Sequence, residues 1–222
     1  MIALRPFRSS SRVSAAILGA VVVCWGAGAA PRVVLAQSEV TVVRIEEDWV
    51  LAVATPDPNA TAPQVSCAIS PTGDATSLFA VFELNHQSIP SFVPGGLQLQ
   101  IWNGDEPIAS HMYPQDSVME TDGEVVRWTQ TMTLANGQLT FEVVSGESTT
   151  WGEFGGQGYL KHTTTTELAG LNAYDPAVSV ANSAVGFAGN RVTVLALERV
   201  RYVLSTGLVV EDSQARLVGS AP

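Results

Sequence analysis

From residue 40 to the C-terminus, apolar and polar side chains alternate in short runs, and turn-forming residues separate the runs. Leu97-Gln98-Leu99-Gln100-Ile101-Trp102 is the clearest case. Successive side chains of an extended chain point to opposite faces, so Leu97, Leu99 and Ile101 share one face and Gln98, Gln100 and Trp102 the other. Similar runs cover 40–45, 49–53, 65–69, 78–84, 124–134, 138–143, 184–187, 191–204 and 208–211. Between them stand Asn103-Gly104-Asp105, Asp122-Gly123, Asn136-Gly137, Gly189-Asn190 and Ser205-Thr206-Gly207. Asn-Gly and Asp-Gly favour the positive φ values of tight hairpin turns, and such turns join antiparallel strands. No stretch repeats its apolar residues with a convincing helical period, although 166–172 has room for one helical turn. In the longest run, alternation puts Val192, Val194, Ala196, Val200, Tyr202 and Leu204 on one face. Leu195, Leu197, Arg199 and Arg201 take the other.

About a dozen half-apolar strands must cover a sheet face, and two sheets packed face to face are the usual solution. The pattern predicts an all-β fold, an antiparallel two-sheet sandwich, as a single domain over 37–222. Hydrophobic residues make up 46% and charged residues 14% of the chain, enough apolar material for a core.

The first 36 residues follow a different logic. Arg5, Arg8 and Arg12 precede an apolar stretch, and Val34-Leu35-Ala36 carries small residues where a signal peptidase cuts. Residues 1–36 therefore read as a signal peptide, and the product as exported, periplasmic or extracellular. Cleavage removes four of the 11 basic residues and none of the 21 acids, leaving a formal charge of −14. Such a surface disfavours nucleic acid and anionic membranes as partners. No second long apolar segment follows, so no membrane span is expected in the mature chain. Only Cys67 remains, which rules out an intrachain disulfide; its place beside Val65 and Ile69 in alternation suggests a buried thiol.

Four stretches carry a resemblance. They are Ile45-Glu46-Glu47-Asp48-Trp49, Ala62-Pro63-Gln64-Val65, Gly95-Gly96-Leu97-Gln98-Leu99-Gln100-Ile101-Trp102, and 182–192, Asn182-Ser183-Ala184-Val185-Gly186-Phe187-Ala188-Gly189-Asn190-Arg191-Val192. They resemble exported proteins of environmental bacteria that have no assigned function. The layout of long strands is similar to concanavalin-type jelly rolls, which implies a jelly-roll-like sandwich and no particular chemistry.

Two constellations bear on function. Glu120-Thr121-Asp122-Gly123-Glu124 resembles the Glu-x-Asp-x-Glu motif of jelly-roll β-glucanases, where alternate residues of one strand aim carboxylates into a cleft. That resemblance implies a glycoside hydrolase using Glu120 and Glu124. Asp122-Gly123 is itself a turn signal, however, and glycine weakens a strand interior. The second constellation is Gln98, Gln100 and Trp102: a flat ring stacks on a sugar, and amides hydrogen-bond its hydroxyl pairs. Trp151, Tyr159 and His162 are expected to extend this surface from a glycine-rich loop.

Metal ligands are sparse. His86, His111 and His162 lack paired spacing, and Asp57-Pro58-Asn59-Ala60-Thr61 and Asp175 with Asn172 offer only incomplete oxygen sets, so no cofactor is expected beyond room for calcium. Gly-x-Ser-x-Gly and Rossmann spacing are absent. The expected function is a non-catalytic carbohydrate- or surface-binding module. The alternatives are the hydrolase above and a structural subunit of a cell-surface assembly.

Overall fold

Alternation in the sequence becomes two stacked sheets in the computed structural model, which describes residues 40–54, 64–87, 95–186 and 191–218. The strands are β1 (Val42–Val53), β2 (Gln64–Ile69), β3 (Leu78–Asn85), β4 (Gly96–Asn103), β5 (Glu106–Pro114), β6 (Val125–Ala135), β7 (Gln138–Ser148), β8 (Gly152–Phe154), β9 (Lys161–Thr165), β10 (Ala184–Gly186), β11 (Val192–Leu204), β12 (Val209–Asp212) and β13 (Arg216–Leu217), with one short helix α1 (Pro176–Ala181). Sheet A runs β12-β11-β1-β6-β7-β8, with β13 also on β11 and β9 also on β7. Sheet B runs β10-β2-β3-β4-β5. Every pairing among the described strands is antiparallel. The all-β, two-sheet antiparallel sandwich expected from the sequence is what the chain forms.

Turn chemistry sets the hairpins. Asn136 and Gly137 both take positive φ, 52° and 71°, and close β6 onto β7 in register Ala135↔Gln138. Gly104 at φ 61° does the same for β4 and β5. The Gly189-Asn190 turn, the signal segment 1–36 and the Asp57–Thr61 oxygen set lie outside the described residues.

The core lies between the sheets. Ile45, Trp49, Leu51 and Val53 from β1 meet Met132, Trp128 and Val126 from β6 on one inner face. Val65, Cys67 and Ile69 with Phe82, Leu84, Leu97, Leu99 and Ile101 form the other. Trp128 stacks on Trp49 at 6.2 Å and takes the Phe82 ring edge-on at 5.6 Å, so an aromatic contact joins the two layers. Phe154 reaches Phe82 through the space above Gly146, where an added Cβ would collide with the Phe154 ring.

Three sequence expectations change. The acids Glu46-Glu47-Asp48 separate two expected runs, yet β1 continues through them as one strand. Glu46 and Asp48 face out toward arginines, while Glu47 faces in and is fully buried. Its Oε2 accepts from Trp49 Nε1 (2.9 Å) and Gln130 Nε2 (2.7 Å), and its Oε1 from the hydroxyls of Tyr174 and Ser179 (both 2.6 Å). Burial pushes the Glu47 carboxyl above its ordinary 4.5, and the four donors pull against that shift.

The faces of β11 are the second change. Its register against β1 slips between Asp48 and Trp49, making Glu198 the extra residue of a β-bulge. The bulge reverses the alternation, so Leu195 and Leu197 join Val200 in the core and Val194 is exposed. Third, the helical turn forms at α1 and not at 166–172. Asp175 caps it by accepting from Ala177 N at 2.8 Å, and Pro176 opens its first turn.

Candidate functional site

The outer face of sheet B carries the residues singled out for binding. Gln98, Gln100 and Trp102 project from β4 away from the core, each half-buried. Trp102 sits opposite Phe79 of β3, their rings 6.4 Å apart and 8° from parallel. On the other side Trp102 pairs with Pro107 of β5, and a register shift at this point makes Ile108 an extra, half-exposed residue. Cross-strand bonds hold the amides: Gln98 Nε2 donates to Ser110 Oγ at 2.7 Å and Gln100 Nε2 to Glu83 Oε2 at 3.2 Å. Burial raises the Glu83 carboxyl above its ordinary 4.5. Val81 and Met112 complete the platform, and Met112 is 48% exposed. Parallel rings beside fixed amides can stack a flat apolar ring face and bond the polar groups at its rim.

Trp151, Tyr159 and His162 do not extend this platform. The Trp151 indole packs 5.0 Å from Phe154 and donates to Glu124 Oε1 at 2.7 Å, inside the sandwich. Tyr159 stacks on Tyr113 at 4.4 Å and accepts from Gly155 N at 2.9 Å. His162 meets His111 of β5. Trp151 and Tyr159 pack against the core, and β9 presents His162 to the inner side, as β5 does with His111 and Tyr113. The histidines are thus not isolated as their spacing suggested. His162 is held below its ordinary 6.5 by burial and by His111, and His86 Nε2 lies 3.0 Å from Glu120.

Glu120 and Glu124 bracket a turn, not a strand. Glu124 N donates to Thr121 O at 3.3 Å, Gly123 has φ 70°, and Asp122 and Gly123 are exposed. The alternate-residue presentation of three acids on one strand is therefore not formed. Glu124 is fully buried: its Oε1 accepts from Ser148 Oγ and Trp151 Nε1, while Oε2 has no hydrogen-bond partner. Asn172 and Asp175 are each used structurally, accepting from Val42 N and Ala177 N at 2.8 Å.

A polar groove of about 630 Å³ opens on sheet A, beyond anything alternation could show. Asp48, Arg127, Thr129, Glu147, Glu198 and Arg199 are among its lining residues. Two bulges flank it, at Glu198 in β11 and at Val144 in β7, on either side of the Asp48–Thr129 pair. Asp48 is held within it: Arg199 lies at 2.6 Å and Thr129 donates at 2.7 Å, while Arg127 lies 3.9 Å from Glu198. Trp102, Trp151 and Glu120 do not line it. Among the described residues, no helix is long and apolar enough to cross a membrane, and no three His, Cys, Asp or Glu side chains converge as a metal site.

No family model, curated protein or solved structure matches this chain.

Proposed function

We propose that the protein is a non-catalytic carbohydrate-binding module acting outside the cytoplasm, with the outer face of sheet B as its binding platform. The observation that carries this reading is the pair of near-parallel rings, Phe79 and Trp102, 6.4 Å apart on a sheet face. The apolar face of a pyranose covers one such ring, and removal of that contact from water supplies the affinity. Gln98 and Gln100, held by Ser110 and Glu83, supply the amide donors and acceptors that orient hydroxyl pairs. A low charge density on this face suits a neutral glycan better than a charged one.

The test is affinity electrophoresis of the chain through gels containing neutral β-glucan, xylan, mannan or chitin. Retardation by at least one of them supports the reading. Unchanged mobility in all four gels overturns it.

A further inference from the structure

On one open side of the sandwich, the edge strands β5 and β9 bring two histidines together. His111 Nε2 and His162 Nδ1 are 3.2 Å apart, and their ring centroids 5.5 Å. The two strands belong to different sheets and share no backbone ladder, so side chains alone make this contact. The Tyr113–Tyr159 stack at 4.4 Å lies beside it and fixes the spacing of the two edges. Among the described residues, neither ring has a carboxylate within ion-pair distance; the only histidine so paired is His86. In a neutral pair, one facing nitrogen donates its N–H and the other accepts it.

We propose that His111 and His162 form a binding site for a borderline divalent cation, Cu²⁺, Ni²⁺ or Zn²⁺, clamping the edges of the two sheets. Neutral imidazole is a common ligand for these ions, whereas calcium and magnesium require oxygen donors. Zinc–nitrogen bonds of about 2.0–2.1 Å at a tetrahedral angle put two ligating nitrogens roughly 3.3–3.4 Å apart. The 3.2 Å already present matches that bite without movement of either strand. Each ring has only to rotate about its side-chain torsions, with the shared N–H moved to the far nitrogen by a change of tautomer. Both side chains are half-buried and keep part of their surface open to solvent, so a hydrated ion can reach them. Water or an exogenous ligand fills the remaining positions, because no third His, Cys, Asp or Glu joins the pair among the described residues. Two protein ligands, against the four of a closed structural zinc site, make this a site of modest affinity.

The experiment titrates the full chain with CuCl₂, NiCl₂ and ZnCl₂ at neutral pH in a non-coordinating buffer, by calorimetry and by thermal unfolding. The expected result is one saturable site for at least one ion, with a rise in Tm as the ion binds the folded state. His111→Ala and His162→Ala should each weaken binding on the order of tenfold or more, while His86→Ala leaves it unchanged. Copper EPR should show hyperfine splitting from two nitrogens. If an alanine variant fails to fold, His162→Gln keeps a polar side chain of similar reach and carries the same expectation. Absence of saturable binding by all three ions would overturn the proposal. So would equal affinity in wild type and the His162 variants, or loss of binding in His86→Ala alone.

Discussion

The two outer faces of this sandwich are built from opposite materials. Sheet A shows the solvent a ladder of charges that neutralise one another. Glu46 lies 2.8 Å from Arg44 and 2.6 Å from Arg201, Asp48 lies 2.6 Å from Arg199, and Arg199 lies 3.6 Å from Glu211. Sheet B shows Phe79, Val81, Gln98, Gln100, Trp102 and Met112, with Glu83 as the one acid among them. A charge ladder closed on itself has little left to offer a partner, and each exposed pair adds about 0–1 kcal/mol of stability. An aromatic and amide face remains in water until something covers it. Concavity alone would have pointed to the groove on sheet A, where Asp48 is already held by Arg199 and Thr129. The depression on sheet A is built from charged groups, and the flatter face of sheet B from aromatic rings and amides.

That contrast can be broken or sharpened in several ways. The largest effect is expected from Trp102→Ala, which should weaken binding of a retarding glycan by about 2 kcal/mol, roughly thirtyfold. Its unfolding midpoint should stay near that of the wild type. Gln100→Ala comes next, with a loss of about 1 kcal/mol in affinity, since one net hydrogen bond is removed. On the other face, Asp48→Asn should lower stability by about 1 kcal/mol in urea unfolding and leave glycan affinity unchanged. A shift in affinity there would mean that the charge ladder belongs to the binding surface after all. The smallest effect is that of salt: raising ionic strength should barely move glycan affinity, because the platform carries so little charge. Steep salt dependence would transfer the site to sheet A.

Much of this molecule is legible in its sequence, and the failures have definite causes. Leu97 to Trp102 show the period of two without interruption, and the faces read from them are those of β4. Asn136-Gly137 announces a hairpin and Asn103-Gly104 a turn, because positive φ is required there. The faces of β11 could not be read, since the bulge at Glu198 leaves no mark in composition but reverses the faces from Leu197 back to Val194, until a second register shift at Thr193 returns Val192 to the core. Glu47 looked like part of a break because buried acids are rare. Its four donors come from β1, β6, α1 and the segment before α1, and only folding assembles them. The cap on α1 was readable: Asp175-Pro176 is a helix-start signal that a search for long amphipathic periods passes over. Trp151, Tyr159 and His162 failed as a surface because their partners, Glu124, Tyr113 and His111, lie 27, 46 and 51 residues away.

The buried Glu47 gives a pH dependence with a definite sign. Its folded value lies above the ordinary 4.5, so the folded chain holds this proton more tightly than the unfolded chain. The stabilisation is fully present below 4.5 and is lost as pH rises through the folded value. Wild type should therefore lose stability relative to Glu47→Gln across that interval, as read from urea midpoints at stepped pH. A difference that stays flat with pH would mean that the folded and unfolded chains bind this proton equally well, and a difference that rises in favour of wild type would mean that the fold prefers the ionised carboxylate.

The most direct measurement is calorimetric titration of wild type and Trp102→Ala with the glycan that retards the chain most. The account predicts saturable binding by the wild type and at least roughly thirtyfold weaker binding by a variant that unfolds at the same urea concentration. Equal affinity of the two proteins would contradict it and place the glycan away from the outer face of sheet B.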